Sequence, residues 1–356
     1  MSFSLCLDSA RPSRSPKLAV ATSSEHFASA ILQIVEIGND MDQNADSLHL
    51  VDPEILPALG MLTLPDLSVE ALHSVRESIR VAFERISDSP TQPVVHTADD
   101  VPIYWFDPEP GKSGRPTMLY IHGGGMILGS AKTMQAIPAA IASTLRIPVA
   151  SVDYRISPET PFPGPQEDCF SALRWLAANA KELGIDANRI AIIGESAGGG
   201  LAAATALMAR DLDGPKIASQ FLIYPMLDYR TGGEDCVSRN PFAGQFVWTK
   251  TNNQFGWSSL QGAYMPVDDK RGWFSPSLAE SLAHLPRTWI GVGSLDLFFD
   301  ESLEYARRLA RDGVNVELHC YPGAVHGFNI VEDANVTQLF NRELFGAITT
   351  YLGSSS

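Results

Sequence analysis

The sequence predicts an α/β protein, a mostly parallel sheet with helices on both faces, and three observations carry that expectation. Short apolar runs alternate with helical segments through most of the chain beyond residue 93, the order that gives parallel strands joined by crossover helices. Each of those runs reads as a short buried strand bounded by turn residues. Finally, 45% hydrophobic and 19% charged residues among 356 are the proportions of a globular chain that buries a sizeable core.

Taken in order, residues 1–24 are rich in Ser, Pro and Arg and read as a flexible tail. From residue 25 to about 92 the pattern is helical in two or three stretches. The clearest is "DLSVEALHSVRESIRVAFERI", where Leu72, Val75, Ile79, Ala82 and Ile86 recur at helical spacing; Asp66 or Ser68 is placed to cap it. The expected strands are "VPIYWFDP", "TMLYIHG", "IPVASVDYR", "RIAIIGES", "SQFLIYPMLD", "RTWIGVGSLD" and "NVELHCYPG". Helices are expected over 132–145, 165–182, 197–210 and 301–312. Over 229–274 the alternation stops and nine aromatics fall in 46 residues, about twice the frequency of the whole chain. That stretch reads as an insertion into a domain made of 93–228 and 275–356.

A formal net charge of −15 excludes nucleic acid and anionic membranes as natural partners and suits neutral or cationic small substrates. No run approaches the roughly 18 apolar residues of a transmembrane helix. The N-terminus lacks a basic n-region, and Ser4 and Asp8 break its apolar stretch, so no signal peptide is read there. Cys6, Cys169, Cys236 and Cys320 are scattered; they read as buried thiols in a reducing compartment, which points to the cytoplasm.

The chemistry lies in two glycine clusters. Gly194-Glu195-Ser196-Ala197-Gly198 is a G-x-S-x-G pentapeptide between a strand and a helix, where a sharp turn leaves the serine projecting and the flanking glycines avoid collision. A serine hydroxyl needs a base to become a nucleophile. Of the eight histidines, His26, His49 and His73 precede the core, His96 and His284 fall in connecting segments, and His319 reads as a solvated strand residue. His326 follows a strand end among Gly323 and Gly327, where a loop carries it over the sheet. The base needs a carboxylate partner between serine and histidine in chain order. Asp296 is taken for that role with Asp300 as its rival; Asp228 reads as a cap or ion-pair residue. When Ser196 attacks a carbonyl, the developing oxyanion needs N–H donors. Gly124 and Gly125 of the earlier "HGGG", together with Ala197, can supply them. His122 reads as a structural hydrogen-bonder.

Six stretches, in order, carry a resemblance: "HGGGMILG", "DYRISPETPFPGPQED", "GIDANRIAIIG", "GESAGGG", "SLDLFFDE" and "YPGAVHGF". Together they closely resemble the hormone-sensitive-lipase-like family of α/β-hydrolase carboxylesterases, from about residue 51 to 352. The resemblance implies an α/β-hydrolase fold and a mobile helical cap built from 25–92 and 229–274. It implies the triad Ser196, Asp296 and His326, the oxyanion donors Gly124, Gly125 and Ala197, and no metal or cofactor. Dimers are common in the family, so a homodimer is among the implied states. Met126 stands where the family often has an aromatic, and Phe298-Phe299 replaces a more polar pair. Glu159, Glu167 and Asp168 read as structural.

The expected activity is hydrolysis of short- to medium-chain acyl esters. The expected pocket is lined by Met126, Phe242, Phe246, Trp248, Phe255, Trp257 and Phe298, with packing inside the cap the competing role for the aromatics. Two other classes use the same fold: a non-catalytic small-molecule receptor, and an amidase, lactonase or acyltransferase with the same triad.

Overall fold

All seven expected apolar runs become strands, and an eighth joins them. The computed structural model describes residues 46–84, 92–236 and 240–353, so the expected tail and Ile86 lie outside the described residues, as does the side chain of Ala82. The strands are β1 (Val94–Ala98), β2 (Val101–Phe106), β3 (Arg115–Ile121), β4 (Val149–Val152), β5 (Ile185–Glu195), β6 (Ser219–Ile223), β7 (Arg287–Gly293) and β8 (Val316–Tyr321). They form one sheet in the order β1-β2-β4-β3-β5-β6-β7-β8. Only the β1–β2 and β2–β4 pairs are antiparallel; the rest run parallel.

Seven helices of more than one turn surround the sheet among the described residues: α1 (Val69–Glu84), α2 (Ala136–Leu145), α3 (Gly164–Ala178), α4 (Ala197–Asp211), α5 (Lys250–Gln261), α6 (Phe299–Arg311) and α7 (Asn335–Gly353). Of the two expected caps for α1, Ser68 receives the Ala71 N–H on its hydroxyl at 3.2 Å, satisfying one of the orphan donors of the first turn. Successive strand residues point to opposite faces, and two cores result. Leu119, Ile121, Ile190 and Ile192 join residues of α1, α3, α4 and α6, whereas Met118, Tyr120, Ala191 and Ile193 join residues of α2 and α7. α4 is buried along nearly its whole length, and its Gly and Ala residues let it lie close to the sheet. No described helix is long and apolar enough to cross a membrane.

The structure corrects three sequence readings. His96 lies in β1, its ring 5.0 Å from that of Trp175; β1 was overlooked because Val94 and Val95 are exposed and its hairpin turn is Asp99-Asp100, both at positive φ, not the usual Asn-Gly. His319 is half-buried between Glu317 at 2.7 Å and Glu343 at 3.1 Å, so it is engaged, not solvated. Cys320 is exposed on β8, while Cys169 is buried.

A Cβ on Gly198 would lie 2.1 Å from the Ile121 carbonyl oxygen, where α4 meets the end of β3. Gly198→Ala is therefore expected to lower the unfolding free energy by about 2–3 kcal/mol or more, as overpacking does. Gly346→Ala, in open space on α7, is expected to raise it by up to about 1 kcal/mol through helix propensity. Urea denaturation of the two variants reads both signs.

Candidate active site

Parallel strands bring their C-terminal ends to one edge, and the chain reverses direction across the sheet at β3, with β4 on one side and β5 on the other. Such a switch point opens a crevice. The segments after β3, β5, β6, β7 and β8 converge there, carrying His122 to Leu128, Ser196, Tyr224, Asp296 and His326 respectively.

Ser196 sits at φ 56°, ψ −122°, a conformation that costs a non-glycine residue roughly 1–3 kcal/mol. Its N–H donates to the Ile223 carbonyl and its carbonyl accepts from the Met226 N–H, each at 2.9 Å, so the end of β6 pins the turn on both sides. The turn closes so tightly that a Cβ on Gly194 would lie 2.1 Å from the Gly198 oxygen.

The Ser196 hydroxyl lies 2.9 Å from His326 Nε2, and His326 Nδ1 lies 2.8 Å from Asp296 Oδ2. All three side chains are buried. Asp296 is fixed in turn by the Phe298 N–H, which donates to Oδ1 at 2.9 Å. The rival carboxylates stand elsewhere: Asp300 is in the first turn of α6, and Asp228 pairs with Arg230 at 2.7 Å. With Asp296 holding Nδ1–H, Nε2 faces the hydroxyl as an acceptor, the tautomer a general base requires.

Beside the serine lies the glycine loop. Gly123 packs against it, since a Cβ there would meet Ser196 Cβ at 3.4 Å. The loop turns back on itself through the Gly124 carbonyl, which accepts from Ile127 and Leu128 at 3.0 and 2.8 Å. Gly125 adopts φ +60°, and the Trp248 ring fills the space its Cβ would need, at 2.2 Å. Among the described residues, nothing accepts from the N–H groups of Gly124, Gly125 or Ala197. The Ala197 N–H also belongs to the first turn of α4, whose dipole favours negative charge.

His122, buried and stacked on Tyr154 at 4.2 Å between centroids, donates Nδ1–H to the Gly123 carbonyl at 2.8 Å. Burial without a counter-charge pushes its pKa down to about 4, so the ring is a neutral strut for the loop.

Of the seven tentative pocket residues, the structure gathers some and disperses others. Trp248 and Phe298 stand round His326 at 6.4 and 5.3 Å between ring centroids. Met126 is buried, its side chain near Gly200. Trp257 packs edge-on to Phe274 at 5.4 Å and, with partly buried Phe255, belongs to the α3/α4 core. Phe246 joins the opposite core, and Phe242 is 42% exposed. None of the seven lines the cavity of about 590 Å³ beside α6, bounded by Asp228, Leu297, Glu301 and Tyr305.

Several site-forming residues escaped the sequence reading. Arg76 of α1 donates to the carbonyls of Ile127 and Ser157 at 2.8 and 2.7 Å and pairs with Glu159 at 2.6 Å, fastening the N-terminal helix to the glycine loop. Asn253 receives the Trp248 indole N–H at 3.1 Å and donates to the Thr231 carbonyl at 2.7 Å. Glu195, Tyr224 and Asn329 form a half-buried, hydrogen-bonded group beside His326. Glu195 occupies a free position of the pentapeptide, and no spacing rule marks the others.

Comparison with known proteins agrees with this fold. A family model described as alpha/beta hydrolase fold matches residues 118–330. Esterase LipI of Mycobacterium tuberculosis is 33% identical, over 81% of this chain and 91% of that protein. An arylesterase of Saccharolobus solfataricus is 31% identical, over 78% and 92%. Among solved structures, a bacterial heroin esterase superposes with a TM-score of 0.78 at 37% identity, covering 86% of this chain and 99% of its own.

The buried His122 ties stability to pH. In the unfolded chain the imidazole takes up its proton near pH 6.5, but in the folded site only near about 4. Between these values the unfolded state binds more protons, so this contribution is present above about pH 6.5 and lost as the pH falls toward 4, at up to about 1.4 kcal/mol per unit. Denaturation curves between pH 7 and 4 should show the stability advantage of wild type over His122→Asn shrinking as the pH falls.

Proposed function

The chain belongs to the α/β-hydrolase fold family, in its hormone-sensitive-lipase-like carboxylesterase branch, and from that premise we propose that it hydrolyses short- to medium-chain carboxylic esters through an acyl-enzyme on Ser196. In this reading His326 takes the serine proton as the hydroxyl attacks the ester carbonyl, and Asp296 holds the ring and offsets the imidazolium charge. The carbonyl oxygen becomes an anion facing the N–H groups of Gly124, Gly125 and Ala197. One such donor contributes about 10²–10³ in kcat in comparable sites. His326 then protonates the departing alcohol and activates the water that clears the acyl group.

The observation that carries the proposal is the unbroken hydrogen-bonded chain from Ser196 through His326 to Asp296. We assign 25–92, of which 46–84 and residue 92 are described, and 229–274 to a cap over the catalytic domain. Trp248, Gly256 and Arg76 press both segments onto the glycine loop, and Asn252 ties them together through the Leu67 N–H and the Pro65 carbonyl. Trp248 and Phe298 then form the apolar wall nearest the reacting carbonyl. The reducing cytoplasm fits the scattered thiols, and the family's dimers make a homodimer the first assembly to test.

The test is hydrolysis of p-nitrophenyl esters from acetate to decanoate, with a serine-directed phosphonate as a label. Ser196→Ala is expected to lose at least about 10³-fold in kcat/KM and to escape labelling. Equal rates in wild type and variant would overturn the proposal. Saturable ligand binding with neither turnover nor labelling would favour the receptor reading.

A further inference from the structure

We propose that Glu195, Tyr224 and Asn329 form a second hydrogen-bonded chain that positions His326 and sets a half-buried negative charge beside it. The proposal rests on the ester-hydrolase reading of the site and assigns positioning residues to it.

The geometry begins next to the nucleophile. The Glu195 carboxylate accepts from the Tyr120 hydroxyl at 2.8 Å on one oxygen and meets the Tyr224 hydroxyl at 3.1 Å on the other. The Tyr224 hydroxyl also lies 2.8 Å from the Asn329 side-chain amide. Asn329 is three residues beyond His326, in the short 3₁₀ turn Phe328–Ile330. The Tyr224 ring presses edge-on against the His326 imidazole, 4.8 Å between centroids at 62°. One tyrosine thus braces the base and, through its hydroxyl, joins the strand that carries Ser196 to the loop that carries His326. Its backbone sits at φ +33°, and its N–H donates to the Gly291 carbonyl at 2.7 Å. This holds an uncommon conformation in place.

A proton count is satisfied with Glu195 as an anion. Tyr224 has a single hydroxyl proton and two partners. If it donates to Glu195, the Asn329 amide must present its N–H to the tyrosine oxygen, an orientation available because amide oxygen and nitrogen are exchangeable by assignment. Both tyrosine hydroxyls then donate to Glu195, which is satisfied as an anion. The groups facing Glu195 are Tyr120 from β3, Tyr154 after β4, Tyr224 after β6 and His326 after β8. Asp296, after β7, faces His326 and Tyr224. Burial holds the three tyrosine hydroxyls well above 10, so they remain donors. Burial raises the Glu195 carboxyl above the usual carboxylate range, and its two tyrosine bonds and His326 offset only part of that rise, so the anion rests on the hydrogen bonds it receives. When His326 takes the serine proton, the imidazolium finds two carboxylates, Asp296 at its Nδ1 and Glu195 behind Tyr224.

The test compares wild type with Glu195→Gln, Glu195→Asp and Tyr224→Phe in the pH dependence of kcat/KM on a p-nitrophenyl ester. It also follows the NMR titration of the His326 ring in a Ser196→Ala background. Glu195→Gln is expected to move the acid limb and the NMR midpoint down by about half to one pH unit, and Glu195→Asp to restore most of that shift. Tyr224→Phe keeps the ring but frees Asn329, and should lower kcat about tenfold with KM within about twofold. A Glu195→Gln midpoint that coincides with wild type or moves up would overturn the charge assignment. A Tyr224→Phe enzyme with full kcat would overturn the positioning role. If no ester is turned over by wild type, the esterase reading fails, while the NMR midpoint still decides this one.

Discussion

Everything at this site depends on the strained turn at Ser196. The serine can project from the sheet edge only because its backbone occupies φ 56°, and that state persists only because its surroundings over-determine it. The restraint comes from three directions. The end of β6 holds the Ser196 N–H and carbonyl. The close approach of Gly194 to Gly198 lets the strand run straight into α4, and the contact of Gly198 with the carbonyls of Ile121 and His122 sets the turn against the glycine loop. The N–H groups of Gly124, Gly125 and Ala197 and the side chain of Ser196 are therefore fixed to one another by backbone packing.

A second level of restraint comes from parts of the chain remote in sequence. Trp248, from the inserted stretch, occupies the volume a side chain on Gly125 would need, and Gly256 of α5 packs against the Gly125 carbonyl. Arg76, from the N-terminal helix, gathers two backbone carbonyls and the Glu159 carboxylate with one guanidinium. Its planar fork makes several directed bonds for little lost entropy. A glycine-rich loop is intrinsically loose, and these contacts stiffen it from outside. The absence of side chains that opens the loop to a substrate is the same absence that admits the tryptophan.

The parts legible in sequence were those with short-range signatures. Buried parallel strands read as apolar runs, and G-x-S-x-G declares itself through its strand and helix. β1 and α7 carry no such signature: β1 displays valines to solvent, and α7 follows the last of the motifs. At the site, Ser196, Asp296 and His326 could be chosen because each lies just past a strand end and the three follow one another in the order serine, carboxylate, base that this kind of sheet takes. Arg76, Tyr224 and Asn329 could not, because their roles arise from which elements the fold brings together over separations of 29 to 105 residues. The aromatics of 229–274 mark the limit of composition as a guide. Their density announced an apolar region, yet Trp248 faces the base, Trp257 the α3/α4 core, Phe246 the opposite core and Phe242 the solvent. Enrichment alone carries no direction.

The two histidines at the heart of the site show how burial assigns role. His122 and His326 are both enclosed by protein, yet only one meets a carboxylate. His122 has a carbonyl on Nδ1, no partner on Nε2 among the described residues, and an aromatic face stacked on its ring. Nothing there would compensate a proton, so the imidazole is held neutral and acts as a rigid spacer. His326 has the Asp296 carboxylate on Nδ1 and a hydroxyl on Nε2, the surroundings in which a proton can be accepted and returned. The difference lies in which strand end each follows. Past β3 the neighbours are glycine carbonyls, while past β8 they are the acidic turn after β7 and Ser196 after β5. The order of strands in the sheet thus decides which imidazole supports the loop and which can work as a base.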